Sequence, residues 1–322
     1  YYGTDFDIGA DDKQLTDANQ SALVFHAEYG CAEFRYGYDA VGNRTDISYA
    51  GTDGNVMVRR DLGFARVHSE YDEQGKLVAE SYYDVDNNLA ARREEGYASL
   101  TQAYRNGKCI EAVYYDTDGM PVLRKDQGIA MERWQYDELG QCVSDAFYDT
   151  EGKPVINRKY LCAAFDYEYD SRGNRTDIWY RDRSGEIMIR PDLGYAHERS
   201  EYDDRGNLIK RLYYDKEDCL TLAKESGIAY FENENEENGN CRKRTCYGKN
   251  RQIKCRKDEG YAVVKFAYDE YGRTSQTRYY GVDGKTPVLN PQYHCAGFLY
   301  EYEYDAAGYK ETTKYMGLEE GE

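Results

Sequence analysis

The chain lacks any long apolar run. None of its hydrophobic segments approaches the ~20 residues that a membrane-spanning helix needs, and its mean hydropathy is −0.92. Leucine, isoleucine and valine are scarce, whereas 36 of the 322 residues are tyrosine. Since disordered chains are poor in aromatic residues, this composition predicts a folded protein in which tyrosine replaces aliphatic side chains as the main packing residue.

Extended basic segments are lacking as well, and the formal net charge is −18. Nucleic acids are bound through a basic face that neutralises phosphates, and anionic lipid surfaces disfavour an acidic protein for the same reason. The sequence therefore predicts neither a nucleic-acid partner nor membrane insertion of this segment.

Catalytic motifs are also missing from the sequence. The histidines lie at non-equivalent positions and outside HExxH, CxxC or GxSxG contexts; they are His26, His68, His197 and His294. Most aspartates occupy positions where a turn requires one. We expect a chain that is not an enzyme and that has no cofactor and no metal.

The sequence repeats itself with two nested periods. Asn43–Ile47 recurs as Asn174–Ile178, 131 residues later. Within that distance a glycine, followed by an aromatic residue or Ile and then Ala, recurs every 32 or 33 residues; it is found at Gly63, Gly96, Gly128, Gly194, Gly227 and Gly260. Such periodicity indicates a stacked repeat array. Four units form one super-repeat.

These periods predict four regions. Residues 1–30 form a partial unit with a short helical insertion at Asp11–Ala27, residues 31–162 and 163–295 are two super-repeats, and residues 296–322 are a truncated unit. Both ends of the chain fall within a unit. We therefore expect a piece of a longer protein.

Each unit carries two turn signals. Tyr136-Asp137-Glu138-Leu139-Gly140 has the Asp and left-handed Gly of a hairpin with a bulge. Asp118-Gly119 predicts a two-residue hairpin, in which Tyr115 would face Val122 and Tyr114 would face Leu123. We predict three short antiparallel strands per unit and an all-β fold, a tandem β-hairpin or meander array forming an elongated solenoid or spiral.

The repeated Tyr-Asp-x-x-Gly motif resembles the tyrosine-aspartate (YD) repeats of Rhs-type and related bacterial surface proteins. It occurs at Tyr38, Tyr71, Tyr136, Tyr169, Tyr202, Tyr268 and Tyr304. The Pro-Val-(Leu/Ile) segments lie outside that pattern. The resemblance implies a β-rich repeat region, extracellular or on the cell surface, with a scaffolding, binding or encapsulating role.

Adjacent tyrosines are the candidate binding residues, because successive side chains of a strand point to opposite faces. One ring of each pair is expected in the core and the other in an exposed ladder. The first tyrosines of four pairs are predicted to bind a ligand; they are Tyr82, Tyr114, Tyr213 and Tyr279. In the alternative both rings fill the core. The expected partner is a carbohydrate or a cell-surface protein, and the alternative function is a structural spacer or shell around an effector domain elsewhere.

The cysteines follow the repeat positions and are expected to be packing residues rather than metal ligands. Cys246 and Cys255 align with Tyr114 and Leu123, which the predicted register places opposite each other. Facing residues of a non-hydrogen-bonded pair are close enough for a disulfide. The sequence therefore predicts a possible Cys246–Cys255 bond.

Overall fold

A computed structural model of the chain describes residues 23–27, 29–305 and 308–319. The helix predicted at Asp11–Ala27 lies almost wholly outside the described residues. All regular elements within them are β-strands, and this part of the chain has no helix long and apolar enough to cross a membrane.

The chain divides into two compact bodies, Tyr1–Glu94 and Glu95–Glu322. The first contains β1 (Glu33–Tyr38), β2 (Arg44–Ala50), β3 (Arg66–Tyr71) and β4 (Leu77–Tyr83). The second contains β5 (Ser99–Arg105), β6 (Lys108–Tyr115), β7 (Met131–Tyr136), β8 (Cys142–Tyr148), β9 (Ala164–Tyr169), β10 (Arg175–Arg181), β11 (His197–Tyr202), β12 (Leu208–Tyr214), β13 (Tyr230–Asn235), β14 (Cys241–Tyr247), β15 (Val263–Tyr268), β16 (Thr274–Tyr280), β17 (Gly297–Asp305) and β18 (Gly308–Met316).

Within each body every strand pairs antiparallel with the next strand of the chain. The pairings run from β1 to β4 in the first body and from β5 to β18 in the second. The predicted all-β array of hairpins in a meander is therefore confirmed. The described residues hold 18 strands, fewer than three per unit would give.

The first turn of each unit has the predicted bulged geometry. In the β7–β8 hairpin, Asp137 Oδ1 accepts the backbone N–H groups of Leu139 and Gln141 at 2.9 and 2.8 Å. Gly140 has a φ of +76°, a conformation in which only glycine avoids a steric cost. The same glycine position is left-handed in the other predicted turns; these glycines are Gly75, Gly173, Gly206 and Gly272.

The second turn differs from the prediction by one residue. Asp116 Oδ1 accepts the N–H groups of Asp118 and Met120, so this turn repeats the bulged geometry of the first. Tyr115 consequently pairs with Pro121 rather than Val122. The predicted two-residue register is wrong, because Asp116 opens a longer loop that closes on Gly119.

The predicted third strand of each unit is reduced to a single bridge. Val122 N–H still donates to the Tyr114 carbonyl at 2.9 Å, but the Arg124 N–H already donates to Ile129. The segment leaves the sheet after one pair because the chain turns back at Gly128, where φ is +70°. Each complete unit therefore has two strands and one bridging segment.

Unit length follows from loop length. The unit that begins at Gly96 has 32 residues because its first turn is the two-residue loop Asn106-Gly107, with φ values of +49° and +79°. The unit that begins at Gly260 is longer because the Gly281 N–H donates to Thr286, one residue further than in other second turns. Sequence periods of 131 and 133 residues thus have a local structural cause.

The hydrophobic core lies on one side of the hairpins, which we call the core side. Its strand residues include Val67, Tyr82, Tyr114, Phe147, Phe165, Tyr180, Phe231, Val264, Tyr279 and Phe298, all buried. The alanine of each Gly-x-Ala motif is buried as well. Ala130, for example, donates its N–H to the Tyr148 carbonyl and accepts from Tyr114 N–H, so it links one unit to the previous one.

Candidate binding surface

The four tyrosines predicted to bind a ligand lie on the core side. Tyr82, Tyr114 and Tyr279 are buried, with 1%, 7% and 8% of their surface exposed. Tyr213 is half-buried and stacks on Tyr195 at 4.6 Å between ring centroids. Their assignment as ligand-contacting residues is therefore corrected: strand alternation predicts two faces for each pair but does not say which ring is inside.

Arginines hold several of these core tyrosines in place. The Arg124 guanidinium lies 4.8 Å from the Tyr114 ring centroid and donates to the Tyr114 hydroxyl at 3.1 Å. Asp126 accepts from the same guanidinium at 2.7 Å. Burial raises the pKa of Tyr114 to about 12, which keeps its hydroxyl a neutral donor and acceptor. The buried rings are thus part of the structural framework.

The second tyrosine of each pair lies on the opposite side, which we call the outer side. These residues are half-buried and comprise Tyr83, Tyr115, Tyr148, Tyr214, Tyr247 and Tyr280. Cationic groups cover some of their rings: Arg133 lies 4.9 Å from the Tyr148 centroid and Lys265 lies 4.4 Å from that of Tyr280. Such contacts combine an apolar ring with a polar group.

Two grooves on the second body border these outer tyrosines. The larger, of about 800 Å³, is lined by residues of β5–β8 that include Lys108, Glu111, Arg133 and Tyr148. Arg133 Nε donates to Glu111 at 2.7 Å inside it. The smaller groove, of about 300 Å³, lies at β12–β14 and includes Tyr247 with lysine and glutamate side chains. Both grooves pair one outer tyrosine with charged hydrogen-bonding groups.

The tyrosine of the Tyr-Asp-x-x-Gly motif has a different role, which the sequence did not reveal. Its hydroxyl donates to a backbone carbonyl 27 residues earlier, at the start of the second strand of the preceding unit. The bonds join Tyr71 to Arg44, Tyr136 to Cys109, Tyr169 to Cys142, Tyr202 to Arg175 and Tyr268 to Cys241, at 2.7–3.1 Å. We call these contacts the inter-unit ties.

The ties persist where the motif changes. Asn235 replaces the tyrosine in one unit, and its Nδ2 still donates to the Leu208 carbonyl at 3.1 Å. Near the C-terminal end Tyr302 donates to Thr274 at 2.7 Å, although the motif predicted Tyr304 for this position. A donor reaching the preceding unit is therefore what this position supplies.

One histidine is buried in a charged setting. His197 stacks between Trp179 and Tyr214, with centroids 4.5 and 5.1 Å away. Its Nε2 lies 2.7 Å from Asp177 Oδ1, and Arg199 Nε donates to the same oxygen at 2.7 Å. One super-repeat earlier, Asp46 contacts His68 at 3.0 Å. These contacts fit the packing role expected for the histidines.

The turn aspartates are engaged with backbone groups. Asp84, for example, accepts the N–H groups of Asp86 and Asn88 at 2.9 Å each. In the described part of the chain, no three His, Cys, Asp or Glu side chains are grouped as a metal site. The turn explains the calcium-like spacing of this segment.

The cysteines are free thiols in the structure. Cys31, Cys162 and Cys295 are buried at the same repeat position, as expected for packing residues. The Lys254 N–H donates to the Cys246 carbonyl, so Lys254 rather than Cys255 faces Cys246. The proposed Cys246–Cys255 bond depended on the incorrect second-turn register and loses its geometric basis.

No protein-family model matches the chain, and no curated protein matches its sequence. Among solved structures, it is similar to TcdB2-TccC3 without its hypervariable C-terminal region at 11% identity and a TM-score of 0.36, covering 87% of this chain. This chain spans 15% of the length of that protein.

Two further solved structures show lower TM-scores. The Tc holotoxin pore of Photorhabdus luminescens has 12% identity and a TM-score of 0.28, with 89% of this chain and 16% of that chain covered. A porin-like protein from Bacteroides uniformis has 9% identity and a TM-score of 0.27, with 77% and 87% covered. At these values the fold assignment rests on the strands and register of the chain itself.

Proposed function

We propose that this chain is a non-enzymatic structural repeat module of a larger bacterial protein that is secreted or exposed at the cell surface. The inter-unit ties carry the proposal, because the most regularly repeated tyrosine of the sequence is used to join neighbouring units. The sequence resemblance to Rhs-type repeat proteins supports the bacterial surface setting. In this role the module spaces or encloses a domain elsewhere in the protein.

Stretching the chain between its ends by single-molecule force spectroscopy tests this role. A module built from tied units unfolds in steps, and one unit of about 33 residues releases roughly 100 Å of extended chain. Extension without steps at low force would contradict a load-bearing array. Tyr169→Phe removes one tie and should lower the force of one step, whereas Tyr271→Phe, at a ring that is 74% exposed, is the matched control.

A second candidate function is binding of a carbohydrate chain along the outer side. Equivalent tyrosines of successive units are two strands apart, a spacing of roughly 9.6 Å. Aromatic rings stack on the apolar faces of sugars, while charged pairs such as Arg133–Glu111, 2.7 Å apart, offer donors and acceptors for hydroxyl groups. The two grooves at Tyr148 and Tyr247 support this candidate over a flat protein interface.

A glycan array probed with the full chain tests this binding. The proposal expects retention of a defined glycan class, and Tyr148→Ala with Tyr247→Ala should abolish it while Tyr271→Ala leaves it intact. Absence of any retained glycan, or equal retention by the double variant, would reject carbohydrate binding at this surface. Capture of a purified cell-surface protein instead would favour a protein partner.

A further inference from the structure

Two carboxylates are neighbours on the core side of the β7–β8 hairpin. In the strand register Glu132 lies opposite Phe147, and Asp145 lies opposite Trp134. The two acids are therefore diagonal neighbours on one face of an antiparallel pair, within reach of each other. The protonated Glu132 carboxyl donates a hydrogen bond to Asp145.

The surroundings of this pair are apolar on both flanking strands. Ala112 on β6 lies opposite Glu132, and Phe165 on β9 lies opposite Asp145. Asp145 Oδ1 is buried and has no hydrogen-bond partner. A buried carboxylate without a partner is costly when ionised. This environment favours the protonated form of the pair.

The nearest cation is already engaged. Arg124 is paired with Asp126 at 2.7 Å and donates to the Tyr114 hydroxyl at 3.1 Å, so it lowers the pKa of Glu132 only as a minor influence. Burial, followed by the charge of Asp145, raises the pKa of Glu132 to about 8. Burial also raises the pKa of Asp145. The other titratable groups near the pair are Cys109 and Tyr114 on β6, Tyr136 on β7, Cys142 on β8, Cys162 and Tyr167.

The array contains its own comparison for this site. Two units later, Glu198 and Arg211 occupy the same diagonal positions on the β11–β12 hairpin, because Glu198 lies opposite Tyr213 and Arg211 lies opposite Ser200. Arg211 Nε lies 3.2 Å from Glu198 Oε1. The same location thus holds two acids in one hairpin and an acid with a base in another.

We propose that the Glu132–Asp145 pair makes the β7–β8 hairpin the pH-sensitive point of the array, closed while the pair holds a proton and loosened when both carboxyls ionise. No ligand takes part in this transition. It leaves the Glu198–Arg211 hairpin in place. The device is independent of the proposed structural and carbohydrate-binding roles.

The direction of the pH effect follows from proton linkage. Carboxyl groups whose pKa is raised in the folded state bind more protons there than in the open state, so opening becomes easier as pH rises. The loss begins above the ordinary carboxyl range near pH 4 and is complete above the raised pKa of Glu132, about 8. The hairpin is therefore tightest in mild acid.

Amide hydrogen exchange of the full chain, read by mass spectrometry at about pH 6 and about pH 9 and corrected for intrinsic exchange, tests the proposal. The protection of β7 and β8 should fall about tenfold across this range, as expected for one proton released over about one pH unit. The protection of β11 and β12 should stay constant. Equal changes in the two hairpins would overturn the proposal.

Two substitutions assign the effect to the pair. Glu132→Gln removes one charge and should leave β7–β8 protection independent of pH, and Asp145→Arg should do the same by recreating the Glu198–Arg211 arrangement. Should Glu132→Gln fail to fold, Asp145→Asn gives the same readout. A pH-dependent loss that persists in these variants would show that other groups cause it.

Discussion

The hydroxyl of Tyr169 donates a hydrogen bond to the carbonyl oxygen of Cys142 at 2.7 Å. Tyr169 ends β9 at the first turn of its unit, whereas Cys142 begins β8 in the unit before. Tyr136 and Tyr268 repeat this relationship with Cys109 and Cys241. The motif tyrosine thus connects units, and the turn beside it is held separately by the aspartate. Its substitution should affect stability rather than ligand affinity.

The two tyrosines of one pair should differ in their contribution to stability. Tyr279 is 8% exposed and lies 5.2 Å from Tyr261 between ring centroids, so Tyr279→Ala should lower the free energy of unfolding by about 3–5 kcal/mol. Tyr280→Ala should cost about 1 kcal/mol, chiefly through its contact with Lys265. Urea denaturation of both variants measures the difference. Equal losses would show that the core side is wrongly assigned.

A left-handed histidine offers a stabilising substitution. His294 has a φ of +53° and is exposed at the position where other units carry glycine. His294→Gly should raise the unfolding free energy by about 1 kcal/mol, because the left-handed strain of an L-residue is removed. Gln292→Gly, two residues earlier and outside the left-handed region, should give no gain. Thermal unfolding of the two variants compares them, and equal effects would argue against backbone strain.

The converse change at a first turn should be destabilising. Gly206 has a φ of +84°, and an added Cβ would lie 3.4 Å from Asn174 Oδ1. Gly206→Ala should therefore lower the unfolding free energy by about 1 kcal/mol. Chemical denaturation gives the value, and a neutral result would contradict the left-handed turn.

Thiol accessibility should follow burial. Cys219 is exposed, whereas Cys162 and Cys246 are fully buried, and burial raises the pKa of each buried thiol to about 12. Because the thiolate is the reactive form, iodoacetamide should label Cys219 of the native protein first. Mass spectrometry of timed digests measures the order. Early labelling of Cys246, or its recovery in a disulfide with Cys255, would contradict this arrangement.

Local turn chemistry explains why much of the fold was predictable. Asp137 and Gly140 define the first turn in sequence and in structure, and their recurrence predicts the meander. Asp116 and Gly119 have the same spacing, but the adjacent Asp118-Gly119 suggested a two-residue loop instead. The error moved the register by one residue, which is sufficient to exchange the neighbours of every following side chain.

The candidate surface was less predictable because it depends on contacts between distant residues. Alternation shows that Tyr114 and Tyr115 face opposite sides, but only the packing of Arg124 and Tyr97 against Tyr114 decides which ring is buried. The bond from Tyr136 to Cys109 likewise spans 27 residues. A constant spacing between the motif tyrosine and the preceding second strand was the only sequence signal for it.

Removal of three ties at once tests the central claim most directly. Tyr136→Phe, Tyr169→Phe and Tyr202→Phe each delete one hydroxyl donor and keep the ring, so each should cost about 1 kcal/mol and the triple variant about 3 kcal/mol. Urea denaturation beside the Tyr271→Phe control measures this loss. An additive loss in the triple variant is the expected result. A triple variant as stable as the control would contradict the claim that these hydroxyls join the units.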